Sequence, residues 1–193
     1  MDFLTATDEI VRLVKRPDKR EDIKGHINRT IGLFAASGTF AADLVELQHT
    51  INGTQFAQSF SIAIAPFLRF RKMKYMRPTT WNKYLKWCDP ERVFLMGCQQ
   101  QNVWYRSGNN IIFNLSSLSA TLELGYYQYH ASLVGDEDTD WMLDEMWPAV
   151  KDVAASYAFG TIGNETEKRQ YFSLGMEQYR VYLRDLGDGY SNG

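Results

Sequence analysis

The residues best suited to chemistry lie in two charged runs of opposite sign. The acidic run is Asp136, Glu137, Asp138, Asp140, Asp144 and Glu145. Its Asp-x-Asp-x-Asp opening matches the start of a calcium loop. The match then fails, because Trp141 stands where the sharp turn needs Gly and Trp147 where a bidentate Glu would close the site. Carboxylates ahead of a helix are stabilised by its dipole, so these acids read first as a helix start. Beyond that they read as a negative surface for a positive partner, or as the wall of a channel past which an anionic polymer moves without sticking. The basic run is Arg69, Arg71, Lys72, Lys74 and Arg77, with no acid among them. Strand alternation predicts Arg69 and Arg71 on one side and Leu68 and Phe70 on the other, giving an exposed cationic edge or face. Such an edge discourages edge-to-edge aggregation. It is also suited to meet the acidic run of a neighbouring copy head-to-tail. A nucleic-acid groove with Phe70 and Tyr75 as stacking residues is a third reading. Against it stands the overall charge, 21 Lys and Arg to 23 Asp and Glu, a net of −2.

No nucleophile, phosphate-loop, dinucleotide or zinc-protease motif occurs, and His26, His49 and His130 fall in three different predicted elements. Each histidine is expected to be structural. A hydrolase built on a carboxylate pair such as Glu123 and Asp136 would need them about 5–10 Å apart, and nothing in the spacing supplies that. The expectation is therefore no catalytic residue, no metal and no cofactor. Cys88 and Cys98 form no CxxC pair and read as reduced thiols in a cytosolic chain. No run approaches the ~18 apolar residues of a membrane span, and no basic-then-apolar leader opens the chain. The 5 Trp, 11 Tyr and 11 Phe make 14% of the sequence, enough to suggest that some are buried against a partner.

The elements that would position these groups change period twice. Phe3, Leu4, Ile10, Val11, Leu13 and Val14 form an apolar stripe, Pro17-Asp18 supplies a stop and a new N-cap, and Ile23, Ile27, Ile31 and Phe34 continue to Gly38. From about Leu44 the period becomes two. Asn52-Gly53 signals a hairpin joining Leu44–Ile51 to Phe56, Gln58 and Phe60, and Ser107-Gly108-Asn109-Asn110 signals a second. Pro78 to Tyr84, with Trp81, Tyr84 and Trp87, reads as a short helix or loop that covers an open edge. After Gly135 helical spacing returns, with Asp138 or Asp140 as cap, Pro148 in a first turn, Asn164 and Glu167 as a capping box, and Gly187 as the end.

The predicted class is α+β. Residues 1–42 form an N-terminal helical hairpin and 136–186 the C-terminal helices, together one four-helix bundle. Residues 43–135 form an inserted small antiparallel β-sandwich or barrel, and 187–193 a flexible tail.

This order carries several recognisable pieces: Tyr75-Met76-Arg77-Pro78, Leu122-Glu123-Leu124-Gly125-Tyr126-Tyr127, Asp140-Trp141, Pro148, Ala154-Ala155-x-x-Ala158, and a last helix with Tyr171 and Tyr179. Over residues 3–186 it resembles the head-to-tail adaptor proteins of tailed bacteriophages, a family that includes the ring-forming tail tubular protein A type. The resemblance implies a non-enzymatic virion neck protein, assembled in the host cytoplasm as a ring of about twelve copies. Its implied partners are the portal protein and a tail nozzle or tube protein. Double-stranded DNA would pass through the lumen without sequence-specific binding, and no membrane is involved. The positions matching the family's portal-docking extension are Gly187, Asp188, Gly189, Tyr190 and Ser191. A lumen that carries phosphodiester must avoid strong cationic lining, so Arg69, Arg71, Lys72 and Lys74 are expected to face protein or the outside. A tail terminator or head-completion protein is the alternative within the same class.

Overall fold

The computed structural model describes residues 1–52, 57–67, 69–91, 102–115 and 119–190. They form a mixed α+β protein, 48% helix and 27% strand. The chain divides into two compact units, residues 1–39 with 130–193, and residues 40–129.

In the first unit, helix α1 (Phe3–Val14) starts where the Asp2 side chain accepts the Thr5 N–H at 2.7 Å. Its buried residues Phe3, Ala6, Ile10 and Val14 recur every three or four positions and form one stripe. Lys15 ends it in the left-handed conformation, φ 58°. The predicted cap at Asp18 does not form. Pro17–Lys19 is a 3-10 turn, and Asp18 is held by the Arg16 guanidinium at 2.7 and 2.8 Å, which keeps its carboxyl down at about 2. Helix α2 (Arg20–Ser37) buries Ile23, Ile27, Ile31 and Phe34, the four residues whose spacing predicts its inner face.

The short helix α3 (Trp141–Glu145) is capped by Asp140, whose Oδ1 accepts the Met142 N–H at 2.9 Å. Helix α4 (Trp147–Thr161) carries Pro148 in its first turn and is buried almost all round. A helix apolar on every side belongs at the centre, and α1, α2, α3 and α5 all pack on α4. Helix α5 (Glu165–Tyr190) opens where Asn164 Oδ1 accepts the Glu167 N–H at 3.2 Å. Its Tyr179 ring stacks on Phe34 of α2 with centroids 4.2 Å apart. The helix does not close at Gly187 as the sequence predicts but runs on to Tyr190. A glycine within a helix costs only about 1 kcal/mol relative to alanine, too little by itself to stop a 26-residue helix. Gly187, Asp188, Gly189 and Tyr190 are thus helical, whereas Ser191 lies outside the described residues.

The second unit holds strands β1 (Leu44–Asn52), β2 (Ala57–Ser61), β3 (Phe70–Pro78), β4 (Lys86–Trp87), β5 (Val103–Ser107), β6 (Asn110–Asn114) and β7 (Ser119–Gln128). They form a three-stranded sheet, β1-β7-β3, and a four-stranded sheet, β2-β6-β5-β4. Pairing is antiparallel except for β4 beside β5. The β5–β6 hairpin turns on Gly108, whose φ of 58° at the first central position is the type II′ pattern.

The hairpin predicted across Asn52-Gly53 is not made. β1 pairs with β7 along its whole length, Leu44 opposite Tyr127 to Asn52 opposite Ser119, while β2 pairs with β6 in the other sheet. A nine-residue ladder outweighs a local turn preference. Gly53 and Phe56 lie outside the described residues. Pro78 ends β3, and Thr79 to Tyr84 takes the loop form of the two expected, with turns and bends leading into β4. Both sheets feed one core, with Met73, Met76, Leu122, Leu124 and Tyr126 from the first and Phe60, Ile111 and Phe113 from the second.

Candidate functional site

The basic run is split by its local backbone. Arg69 precedes β3 in a left-handed conformation, φ 64°, and register shifts interrupt β3 between Phe70 and Lys72 and again between Met73 and Tyr75. Bulges break the two-residue period, so Arg69 and Arg71 do not share the exposed face that alternation predicts. Arg71 is turned inward, its side chain 9% exposed, 3.9 Å from the buried Asp43 carboxylate and over the Tyr127 ring. Arg77 is tied across the sheet to Glu123 at 2.6 Å. Arg69, Lys72 and Lys74 are the exposed members.

The acidic run is likewise mostly spent on its own chain. Asp136 meets Lys24 at 3.0 Å. Asp138 Oδ2 accepts the N–H groups of Val134 and Gly135 at 2.7 and 2.9 Å, and these bonds hold its carboxyl below the usual range. Asp140 caps α3 with one oxygen and holds His130 Nδ1 at 2.5 Å with the other, in a buried pair. Glu137 is exposed. Asp136, Asp138 and Asp140 therefore have structural employment within one copy, as do Arg71 and Arg77.

The carboxylates Glu123 and Asp136 lie in different units, each with its own cation. The histidines are also apart. His26 packs on Tyr157, burial lowering its pKa, and His49 lies among Phe60 and Phe67. No group of three His, Cys, Asp or Glu side chains among the described residues is arranged to hold a metal.

The three-stranded sheet carries a polar network on its outer face. Gly125 of β7 lies opposite Glu46 of β1 and Tyr75 of β3. A Cβ on Gly125 would sit 2.3 Å from the Tyr75 ring, so the glycine lets the phenol cross the strand and donate to Glu46 at 2.5 Å. Burial and that carboxylate push Tyr75 up to about 12. With Gln48, Arg77 and Glu123 these groups line a depression of about 450 Å³. Its two carboxylates are already matched by a phenol and a guanidinium, which makes it a polar surface already matched internally.

Two other surfaces keep large apolar side chains exposed. On the helical unit, a groove of about 430 Å³ runs along α5, where Leu174, Glu177, Gln178, Val181, Tyr182 and Asp185 share one face. Met146, Pro148 and Ala149 complete the floor. Leu174 is 42% and Val181 41% exposed. The rim is acidic: Glu145 accepts the Tyr182 hydroxyl at 2.8 Å, Asp185 meets its neighbour Arg184, and Glu177 projects to solvent. On the β-rich unit, Lys83, Tyr84, Lys86 and Trp87 are all exposed around β4, the outermost strand of its sheet among the described residues, Tyr84 at 57% and Trp87 at 61% although the Tyr84 ring also lies 5.3 Å from Tyr75. The sequence points to Tyr84 and Trp87 as cover for an edge, and the structure adds the exposed Lys83 and Lys86 beside them. The signal was two cations and two aromatics in five positions.

Behind the groove, Asp152 of α4 is buried, 4% exposed, and accepts the Gln178 amide at 3.1 Å. Burial raises its pKa, with Lys151 and Gln178 pulling the other way. The native state therefore holds its proton more tightly than the unfolded chain. Stability from this group is full below the ordinary carboxylate range and lost as pH rises through the raised value. Asp152→Asn is expected to melt higher than wild type at neutral pH, with the advantage shrinking at acid pH. Melting curves from pH 3 to 7 check this, and a constant difference would contradict it.

No protein-family model matches this chain, and no curated protein is significantly similar to it.

Proposed function

We propose that this chain is a structural subunit of a phage neck, a head-to-tail adaptor that forms a ring between the portal and the tail nozzle or tube. In this reading α1, α2, α4 and α5 act as the bundle of the ring, and the two sheets act as a sandwich-like module directed at neighbouring components. The observation that carries it is the pair of surfaces just described: an apolar groove with an acidic rim on one unit, and an aromatic strip with basic neighbours on the other. Surfaces of unlike kind on one chain favour heterologous contacts, which generate rings when the rotation closes. Large aromatic anchors supply affinity and charge supplies register. The sequence resemblance to phage adaptors adds the partners. The helical end of α5 at Gly187, Asp188, Gly189 and Tyr190, with Ser191 beyond, is the segment assigned to the portal. Arg71 and Arg77, engaged within the chain, add little to any DNA-facing charge, which suits a conduit that must release DNA.

Mixing the purified chain with portal protein tests the reading. A stable complex near one chain per portal subunit, weakened by removal of residues 187–193, is the expected result. Binding only to tail-tube protein would favour a tail terminator, and binding to neither would end the proposal.

A further inference from the structure

We infer that the ring contact itself is the insertion of the β4 edge strip of one copy into the α5 groove of the next, an assignment that rests on the adaptor reading. The occupant is a second copy of this chain because the two surfaces complement each other in both chemical respects. The groove offers apolar area at Leu174 and Val181, bounded by Glu145, Glu177 and Asp185. The strip offers Tyr84 and Trp87, flanked by Lys83 and Lys86. Neither lysine has an acidic partner within salt-bridge distance among the described residues. α5 already gives another face to its own unit through Gly175 and Tyr179, so Leu174 and Val181 form a second apolar face that the fold leaves uncovered. Trp and Tyr seated in an apolar depression are the residues on which interface energy concentrates. Lysines meeting carboxylates at the rim set register and make assembly salt-sensitive. Groove and strip are different surfaces, so each copy keeps one of each free after one contact, as chain growth into a ring requires.

Charge exchange tests this with the full-length chain. One variant carries Glu177→Lys and Asp185→Lys, the other Lys83→Glu and Lys86→Glu. All four positions are exposed, and exposed substitutions of this kind leave folding stability nearly unchanged. Circular dichroism melting confirms folding first. Wild type is expected to form concentration-dependent assemblies in sedimentation velocity that weaken with salt. Each variant alone should need about tenfold or more higher concentration to assemble. An equimolar mixture should recover wild-type assembly, because a basic groove then meets an acidic strip and the native pair remains intact. If the groove variant melts early, Glu177→Gln with Asp185→Asn replaces it, and weakened assembly of that variant alone is then the expected result in place of the rescue. A wild type that stays monomeric, variants that assemble normally, or a mixture that fails to recover each overturn the assignment. Portal binding is measured in parallel. If it persists while these results fail, only the interface is wrong. If groove and strip behave as stated but portal does not bind, the adaptor reading is wrong.

Discussion

Arg71→Ala is expected to destabilise the β-rich unit by about 3–5 kcal/mol, the range for breaking a buried ion pair by removing one partner. Asp43 is 3% exposed and Arg71 9% at the side chain, so removing the guanidinium leaves a poorly hydrated carboxylate without its cation. The neighbouring changes Lys72→Ala and Lys74→Ala remove exposed side chains and should stay within about 0.5 kcal/mol. Urea denaturation of the three variants checks the contrast. It divides the basic run by role: Arg71 holds the fold, and only Arg69, Lys72 and Lys74 remain for an external partner. Equal and small effects at all three positions would show that the Arg71–Asp43 pair contributes nothing to the fold.

Gly175→Ala should destabilise the helical unit by about 1–3 kcal/mol, and Gly175→Leu by more, against the usual sign of a glycine replacement in a helix. In an open helical position alanine gains about 0.5–1 kcal/mol over glycine. Gly25 and Gly32 of α2 are such positions, with nothing within 4 Å of an added Cβ. At Gly175 the added atom would lie 2.7 Å from Val153 Cγ2, 2.9 Å from the Val153 nitrogen and 3.0 Å from the Ala149 oxygen. Two of those are backbone atoms of α4, which cannot move aside as a flexible side chain can. A protein of this size melts about 2–4 °C lower per kcal/mol lost, so thermal scans should show Gly25→Ala and Gly32→Ala rising and Gly175→Ala falling. A rise in all three would mean that α4 and α5 are not in close backbone contact. Displacing α5 would also deform the groove, so under the proposed ring contact Gly175→Leu is expected to impair assembly as well as stability.

Much of the helical unit was legible without coordinates. The four-residue spacing of Ile23, Ile27 and Ile31, the caps Asp140 and Asn164, and Pro148 in a first turn are local signals, and each is realised locally. The Gly108 hairpin belongs with them, since its turn depends on residues adjacent in sequence. Signals that competed with distant partners misled. Asn52-Gly53 promised a hairpin, but β1 was taken by β7, some seventy residues away along the chain. Of the candidate charges, the run itself was visible, whereas the division of Arg71 from Lys72 and Lys74 was not.

What the amino-acid order alone determined is where helices and strands form and that two opposite charge runs exist, because propensity, capping and periodicity act over a few residues. Tertiary structure decided which strands share a sheet, which charges are consumed inside one copy, and which face of α5 stays open. Those outcomes depend on bulges in β3 and on how closely α4 approaches Gly175. Both are set by packing between separate elements, for which no pattern within one element is a guide.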